Sequence, residues 1–140
     1  MFTEAILDSS VIVAAVTVEK YSDWAMGSMQ AYEYFHILDL SFYEVANALK
    51  NKVSKLFTAE DAAAAFGQAQ KMMNLCEVHT FSEVAINALN EALALNITAY
   101  DAAFPLLAEK LGIRLLSIDL KLARKLESTK YKDLIDYPNR

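Results

Sequence analysis

Short apolar, partly β-branched runs punctuate the chain at residues 3–7 (TEAIL), 36–40 (HILDL), 77–81 (EVHTF) and 114–118 (RLLSI), with a weaker one at 134–137 (LIDY). Their length and composition read as strands. Between them apolar residues recur at intervals of three and four: Phe42, Val45, Ala46, Leu49, Val53 and Leu56 in one segment, Val84, Ala88, Leu89, Ala92 and Leu95 in another. That spacing places each set on one helix face. No Asn-Gly or Asp-Gly dipeptide joins two strands, so the connections are expected to be helical crossovers. The pattern predicts an α/β fold with a mostly parallel sheet of about four or five strands, flanked by helices on both faces. Gly112, between AEKL and IRLLSI, is placed to end a helix.

Composition narrows this picture. A chain of 140 residues, 55% of them hydrophobic and free of repeats or Pro/Gly/Ser-rich linkers, is expected to form one domain over 1–140. No run approaches the ~20 apolar residues of a membrane span, and the first ten residues hold Glu4 and Asp8 but no basic cluster. A cytoplasmic protein is therefore expected. The single cysteine, Cys76, has no internal disulfide partner, which fits a reducing compartment. Only three glycines occur, Gly27, Gly67 and Gly112, so neither G-x-G-x-x-G nor a P-loop can be built.

Charge adds a constraint. The net charge of −5 lacks the basic excess usual for nucleic-acid binding, but it is unevenly spread: residues 1–49 hold seven acids against one base, Lys20. A local concentration of carboxylates either repels anions or collects metal ions that reverse its sign.

Four acids fall where such an α/β sheet binds ligands, beyond the carboxyl ends of its strands. Asp8 follows the first run, Asp119 ends RLLSID, Glu44 lies in the first turn of the helix after HILDL, and Asp101 lies in the first turn of a helix starting near Thr98. Each also has a purely structural reading. Ser41-Phe-Tyr-Glu44 fits a capping box and Thr98-Ala-Tyr-Asp101 a weaker one, while Asp8 and Asp119 suit helix starts. Gathered on one rim, however, four carboxylates would repel one another by several kcal/mol without a counter-cation. Hard oxygen ligands favour Mg²⁺ or Mn²⁺. Competing sites are poorer. Cys76 and His79 form a zinc-type pair with no second pair following, and His36 is the other histidine. Ser9 and Ser10 have no histidine base nearby in sequence.

The stretches LDSSVIVAAV, SFYEVANALKNKV and ITAYDAAFPLLAEKLGIRLLSIDLKLARKL, spanning most of the chain, resemble the PIN-domain family and in particular its VapC-like toxins. The resemblance implies a PIN-like three-layer sandwich and an Mg²⁺- or Mn²⁺-dependent endoribonuclease. It implies that Asp8, Glu44, Asp101 and Asp119 are catalytic metal ligands, with Ser9 and Ser117 as supporting hydroxyls. RNA is the implied substrate, and a small antitoxin and a second copy of the chain are the implied partners. Lys50, Lys52, Arg114, Lys121, Arg124 and Lys125 are candidate phosphate contacts. Pro105 withholds the N–H that would bond to the Asp101 carbonyl, predicting a kink beside a ligand. No further acid follows Asp119, where Leu120 and Lys121 stand, so Asp119 is expected to act mainly through water.

The alternative within this fold is a PIN-like domain that binds RNA or protein without cutting. A haloacid-dehalogenase-type phosphatase would need Asp-x-Asp, but Ser10 occupies the second position. A receiver domain would need an acidic acceptor after its third strand, which EVHTF lacks. Tyr21, Trp24, Met29, Tyr32 and Phe35 form an aromatic-rich segment, expected as two helical elements that mediate a homodimer.

Overall fold

A computed structural model describes residues 3–139. Strand β1 (Glu4–Leu7) runs through Asp8 into helices α1 (Ser9–Val16) and α2 (Ser22–Met29), and β2 (Tyr34–Leu38) runs into α3 (Leu40–Lys52) and α4 (Ala59–Asn74). Strand β3 (Glu77–His79) passes through a 3-10 turn, Phe81–Glu83, to α5 (Ala85–Leu95) and α6 (Ala99–Leu111). Strand β4 (Arg114–Leu116) leads to α7 (Leu120–Leu126), and a second 3-10 turn, Lys132–Leu134, precedes β5 (Ile135–Asp136). The five strands are all parallel, in the order β3-β2-β1-β4-β5. This is the expected α/β architecture.

Alternation along the strands feeds two cores. Ile6, Leu38, Leu115 and Ile135 face α5, α6 and α7, while Ala5, Leu7, Ile37 and Leu116 face the layer of α1 to α4. Burial on both faces is why the strands read as unbroken apolar runs. The chain builds outward from β1 to β2 and β3, then returns to add β4 and β5 on the other side. The order thus reverses beside β1, and such a reversal opens a crevice at the carboxyl ends of the strands.

Several local expectations shift. β2 spans Tyr34–Leu38 rather than 36–40, because Asp39 already has helical backbone angles and Leu40 belongs to α3. α3 ends at Lys52, leaving Val53 and Leu56 exposed. Only Glu77–His79 of the third run is strand: the Phe81 N–H turns to the Asp39 carboxylate at 2.9 Å and starts the 3-10 turn. On α5 the buried face centres on Ala88, so Leu89 projects into solvent. α6 continues through the buried Pro105. Cys76 is partly buried, its thiol pushed up to about 11 by burial, and it donates to the Met72 carbonyl at 3.3 Å.

The aromatic segment is helix α2 followed by a loop and β2, not two helices. Trp24, Met29, Tyr32 and Phe35 pack against the α1 to α4 core. Their surface is largely used within the chain, whereas Ile86, Leu89 and Leu93 of α5 are exposed. No helix among the described residues is long and apolar enough to cross a membrane.

Two glycines have opposite expected effects on stability. Gly112 caps α6 at φ +67°, where a side chain is strained although nothing stands near its Cβ position, whereas Gly67 is exposed within α4 and also has open space around it. Gly112→Ala should lower the free energy of unfolding by about 1 kcal/mol and Gly67→Ala should raise it by about 0.5–1 kcal/mol in urea denaturation.

Candidate active site

Asp8 stands where β1 ends, still held in the sheet by an N–H bond to the Leu116 carbonyl at 3.0 Å. It occupies the capping position of α1, yet its carboxylate makes no cap bond to that helix. Instead Oδ2 accepts from the Ser117 hydroxyl at 2.7 Å and the Ser10 hydroxyl at 3.0 Å. Both hydroxyls also accept from backbone beyond β4: Ser10 from the Ile118 N–H at 3.0 Å, Ser117 from the Asp119 N–H at 3.1 Å. The two serines therefore brace β1 and β4 around one carboxylate oxygen. Among the described residues no protein donor is given to Oδ1.

The other acids arrive on separate elements. Asp119 caps α7, with Oδ1 accepting from the Leu122 N–H at 3.0 Å. Thr98 caps α6 by accepting from the Asp101 N–H at 3.0 Å, which fixes the first turn that carries Asp101. The expected capping box at Ser41 and Glu44 does not form. α3 starts one residue before Ser41, with Asp39 in the capping position, so Ser41 is a fully buried helical residue. The Ser9 hydroxyl donates to Glu44 Oε1 at 2.8 Å and lies 3.1 Å from the Ser41 hydroxyl. Glu44 is thus directed across to α1 rather than back to its own helix start.

Asp8, Ser9, Glu44, Asp101 and Asp119 line one cleft of about 450 Å³, and Ser117 supports it from below through Asp8. Glu19, Asn47 and Asn51 line it too. The two asparagines had a readable signal, since Glu44, Asn47 and Asn51 repeat at three and four along α3 and share one face. Glu19 had none; a 2.7 Å ion pair with Lys52 holds it in place.

The electrostatics follow from burial and crowding. Burial raises the Asp8 carboxyl to about 6, the Ser117 and Ser10 hydroxyls oppose this, and the charges of Glu44 and Asp119 add to it. Glu44 is raised by burial and by Asp101, against the Ser9 hydroxyl. Asp101 is raised by burial and by Asp119, against Thr98 and Lys125. Each acid therefore feels another across the cleft, and no three of the four bring ligand atoms within 4.8 Å of one another. They flank the space rather than pack together, as like charges do without a cation. The donor set offers carboxylate, hydroxyl and amide oxygens, with no histidine or cysteine in the lining. It fits a hard divalent cation.

An adjoining cleft of about 390 Å³ shares Asp101 and Asp119 and adds Lys121 and Lys125, the latter donating to the Asn96 carbonyl at 3.2 Å. Of the other basic candidates, Lys52 is paired with Glu19, and Arg114 opens β4 at the end of that strand away from the carboxylates.

Comparison with known proteins identifies the family. Residues 5–126 match the family model described as PIN domain. The chain is 36% identical over 121 residues to Ribonuclease VapC3 of Pyrobaculum aerophilum, covering 86% of this chain and 92% of that one. The crystal structure of PAE2754 from Pyrobaculum aerophilum superposes with a TM-score of 0.66 at 27% identity, covering 96% of this chain and 89% of the other. A chain in a toxin-antitoxin complex from Klebsiella pneumoniae shares the fold with a TM-score of 0.69 at 12% identity, covering 97% and 98% of the two chains. With a family model matching residues 5–126 and a relative 36% identical over most of both chains, the chain belongs to the PIN domain family.

Proposed function

We propose that this protein is an endoribonuclease that cuts RNA phosphodiester bonds with Mg²⁺ or Mn²⁺ held by Asp8, Glu44, Asp101 and Asp119, and that it serves in the cytoplasm as the toxin of a toxin-antitoxin pair. One observation carries the reading. Five carboxylates, Asp8, Glu19, Glu44, Asp101 and Asp119, line a cleft with no Lys or Arg in its lining, and one of them, Asp8, is buried. The name of the Pyrobaculum aerophilum relative, Ribonuclease VapC3, supports the reaction class.

A divalent ion, when bound, supplies charge neutralisation, a water of lowered pKa and stabilisation of the charge that develops on the scissile phosphate. The chain's own residues do the rest. Ser117 and Ser10 engage Asp8 through one oxygen and orient the carboxylate toward the cleft. Ser9 does the same for Glu44. Asn47 and Asn51 offer amide donors to sugar or phosphate oxygens. Lys121 and Lys125, one cleft away, draw in flanking phosphates that the acids alone would repel. Unpaired or looped RNA is the substrate form that can enter, because its bases and backbone are free to splay. A small antitoxin covering the cleft and a homodimer complete the reading; the exposed apolar side chains of α5 offer surface for such contacts.

The purified chain should cleave single-stranded RNA in Mn²⁺ or Mg²⁺ and lose all cleavage in EDTA. Asp101→Asn should reduce the rate at least a hundredfold while raising stability in EDTA by about 1 kcal/mol, through relief of charge repulsion. Cleavage undiminished in EDTA would overturn the mechanism.

The pH dependence has a definite sign. The raised Asp8 carboxyl favours the protonated folded state, so this contribution to metal-free stability is complete below the ordinary carboxylate range and is lost as pH rises through about 6. The loss amounts to about 3 kcal/mol at most. Asp8→Asn should flatten this slope in EDTA melts. In the wild type, the Mn²⁺-induced rise in melting temperature should shrink below pH 6, where the ion competes with the proton. Identical slopes for Asp8→Asn and wild type would remove Asp8 as the buried acid.

Lys125→Ala should weaken RNA binding across sequences and reduce the slope of log affinity against log salt by about 1, measured by fluorescence anisotropy with EDTA present to prevent cutting.

A further inference from the structure

A second group of metal-type ligands lies away from the carboxylate cleft, on the face of the sheet occupied by α5 and α6. Strand register puts it there. Glu4 pairs with Tyr34, His36 pairs with Glu77, and Leu38 pairs with His79, so Glu4, His36, Glu77 and His79 all project from one face across β1, β2 and the edge strand β3. His36 Nδ1 stands 2.9 Å from His79 Nε2 and 3.4 Å from Glu77 Oε2. Among the described residues these three form the one group whose ligand atoms all lie within 4.8 Å of one another.

The outward nitrogens both face carboxylates. His36 Nε2 lies 2.9 Å from Glu4 Oε1, and His79 Nδ1 lies 3.5 Å from Glu83 Oε1. Glu83 is itself held by the Thr80 N–H at 2.8 Å and by Lys110 at 3.2 Å. Tyr34 donates to Glu77 at 3.4 Å and meets His36 edge to face. Ionised carboxylates only accept, so they favour the tautomers whose ring protons point outward, toward Glu4 and Glu83. With those tautomers neither ring has an N–H directed into the space between them. Their inward lone pairs face each other at 2.9 Å with the Glu77 carboxylate alongside. Three electron-rich atoms around one point need a positive centre.

We infer that His36, His79 and Glu77 form a binding site for a zinc-class divalent ion, with Glu4 and Glu83 as the outer carboxylates that set the two ring tautomers. Two imidazoles and a carboxylate suit Zn²⁺ and discriminate against Mg²⁺. Carboxylate partners on the far ring nitrogens are the usual outer arrangement of zinc-bound histidine. Zn–N bonds of about 2.0–2.1 Å in tetrahedral geometry separate two nitrogens by about 3.3 Å, a small widening from 2.9 Å. His36 is nearly buried and His79 largely so, while Glu77 is about half exposed, which leaves a path for the ion and a coordination position for water. The ion would pin the three-residue edge strand β3 to β2. The pinned end is also where the His79 carbonyl and Phe81 N–H bond to Asp39, at the start of the helix that carries Glu44. The site shares no ligand with the cleft and stands whether or not the chain cuts RNA.

The test is titration of the whole chain with ZnCl₂ in millimolar Mg²⁺, followed by calorimetry and by ¹⁵N NMR of the histidine rings. One Zn²⁺ should bind per chain, with His36 Nδ1 and His79 Nε2 shifting as coordinated nitrogens. Glu77→Gln and His79→Gln should weaken binding at least a hundredfold, and Glu83→Gln about tenfold. Glu77 and Glu83 are surface-facing, so their variants keep the test valid if His79→Gln fails to fold. Absence of Zn²⁺ uptake in Mg²⁺, or uptake that leaves both ring signals unmoved, would show that a shared proton holds the two rings together and would overturn the site.

Discussion

The burial of one carboxylate, Asp8, at the end of the central strand is the constraint on which the rest of the arrangement depends. A carboxylate in that position is costly unless hydrogen bonds and a cation compensate it. The protein supplies the hydrogen bonds from two directions: Ser10, two residues along the chain, and Ser117, more than a hundred residues away. Because the same hydroxyls take the Ile118 and Asp119 N–H groups, satisfying Asp8 also joins β1 to the turn after β4. What remains unsatisfied is charge, and that is the property a divalent ion would use.

Topology explains why the other acids arrive at the same place. The chain leaves β1 toward β2 and β3 and comes back to form β4, so the ends of β1, β2 and β4 share one edge of the sheet. Glu44 enters on the helix after β2, Asp119 on the turn after β4, and Asp101 on the helix that precedes β4. Each is steadied by a neighbour with a short side chain: Ser9 for Glu44, Ser117 for the backbone of Asp119, Thr98 for the backbone of Asp101. The cleft consequently combines mutual repulsion with fixed positions. On the proposed reading, that combination would cost some stability in the metal-free fold and preorganise the site for a cation.

On the proposed readings, the two clusters would separate two kinds of coordination chemistry within one small molecule. The cleft is lined by oxygen donors and lies at the crevice beside β1, where lysines of α7 offset its charge. The histidine group draws on the sheet itself, with ligands two residues apart on β3 and a register partner on β2. A strand presents every second residue to one face, so Glu77-x-His79 beside His36 is as natural a ligand arrangement in a parallel sheet as i, i+4 spacing is on a helix.

Much of this was legible along the chain. Short apolar runs marked the strands, and periods of three to four marked the helices. Asp8, Glu44, Asp101 and Asp119 stood out because each follows a strand or opens a helix. The resemblance to the PIN-domain family added Ser9 and Ser117, which the structure places in contact with Glu44 and Asp8. Local rules were less dependable where they competed with distant partners. Ser41 and Glu44 have capping-box spacing, but Ser9 claims both, and α3 begins one residue before Ser41. Trp24 and Phe35 look like spare aromatic surface until the core beneath α1 to α4 takes them in. His36 and His79 are 43 residues apart and meet only through strand register. The sequence by itself determined the elements, their alternation and the acids at their ends, because hydrophobic period and turn chemistry act over a few residues. The tertiary structure alone decided which hydroxyl meets which carboxylate and which histidine meets which, because those pairings are set by strand order, register and the path of the crossovers.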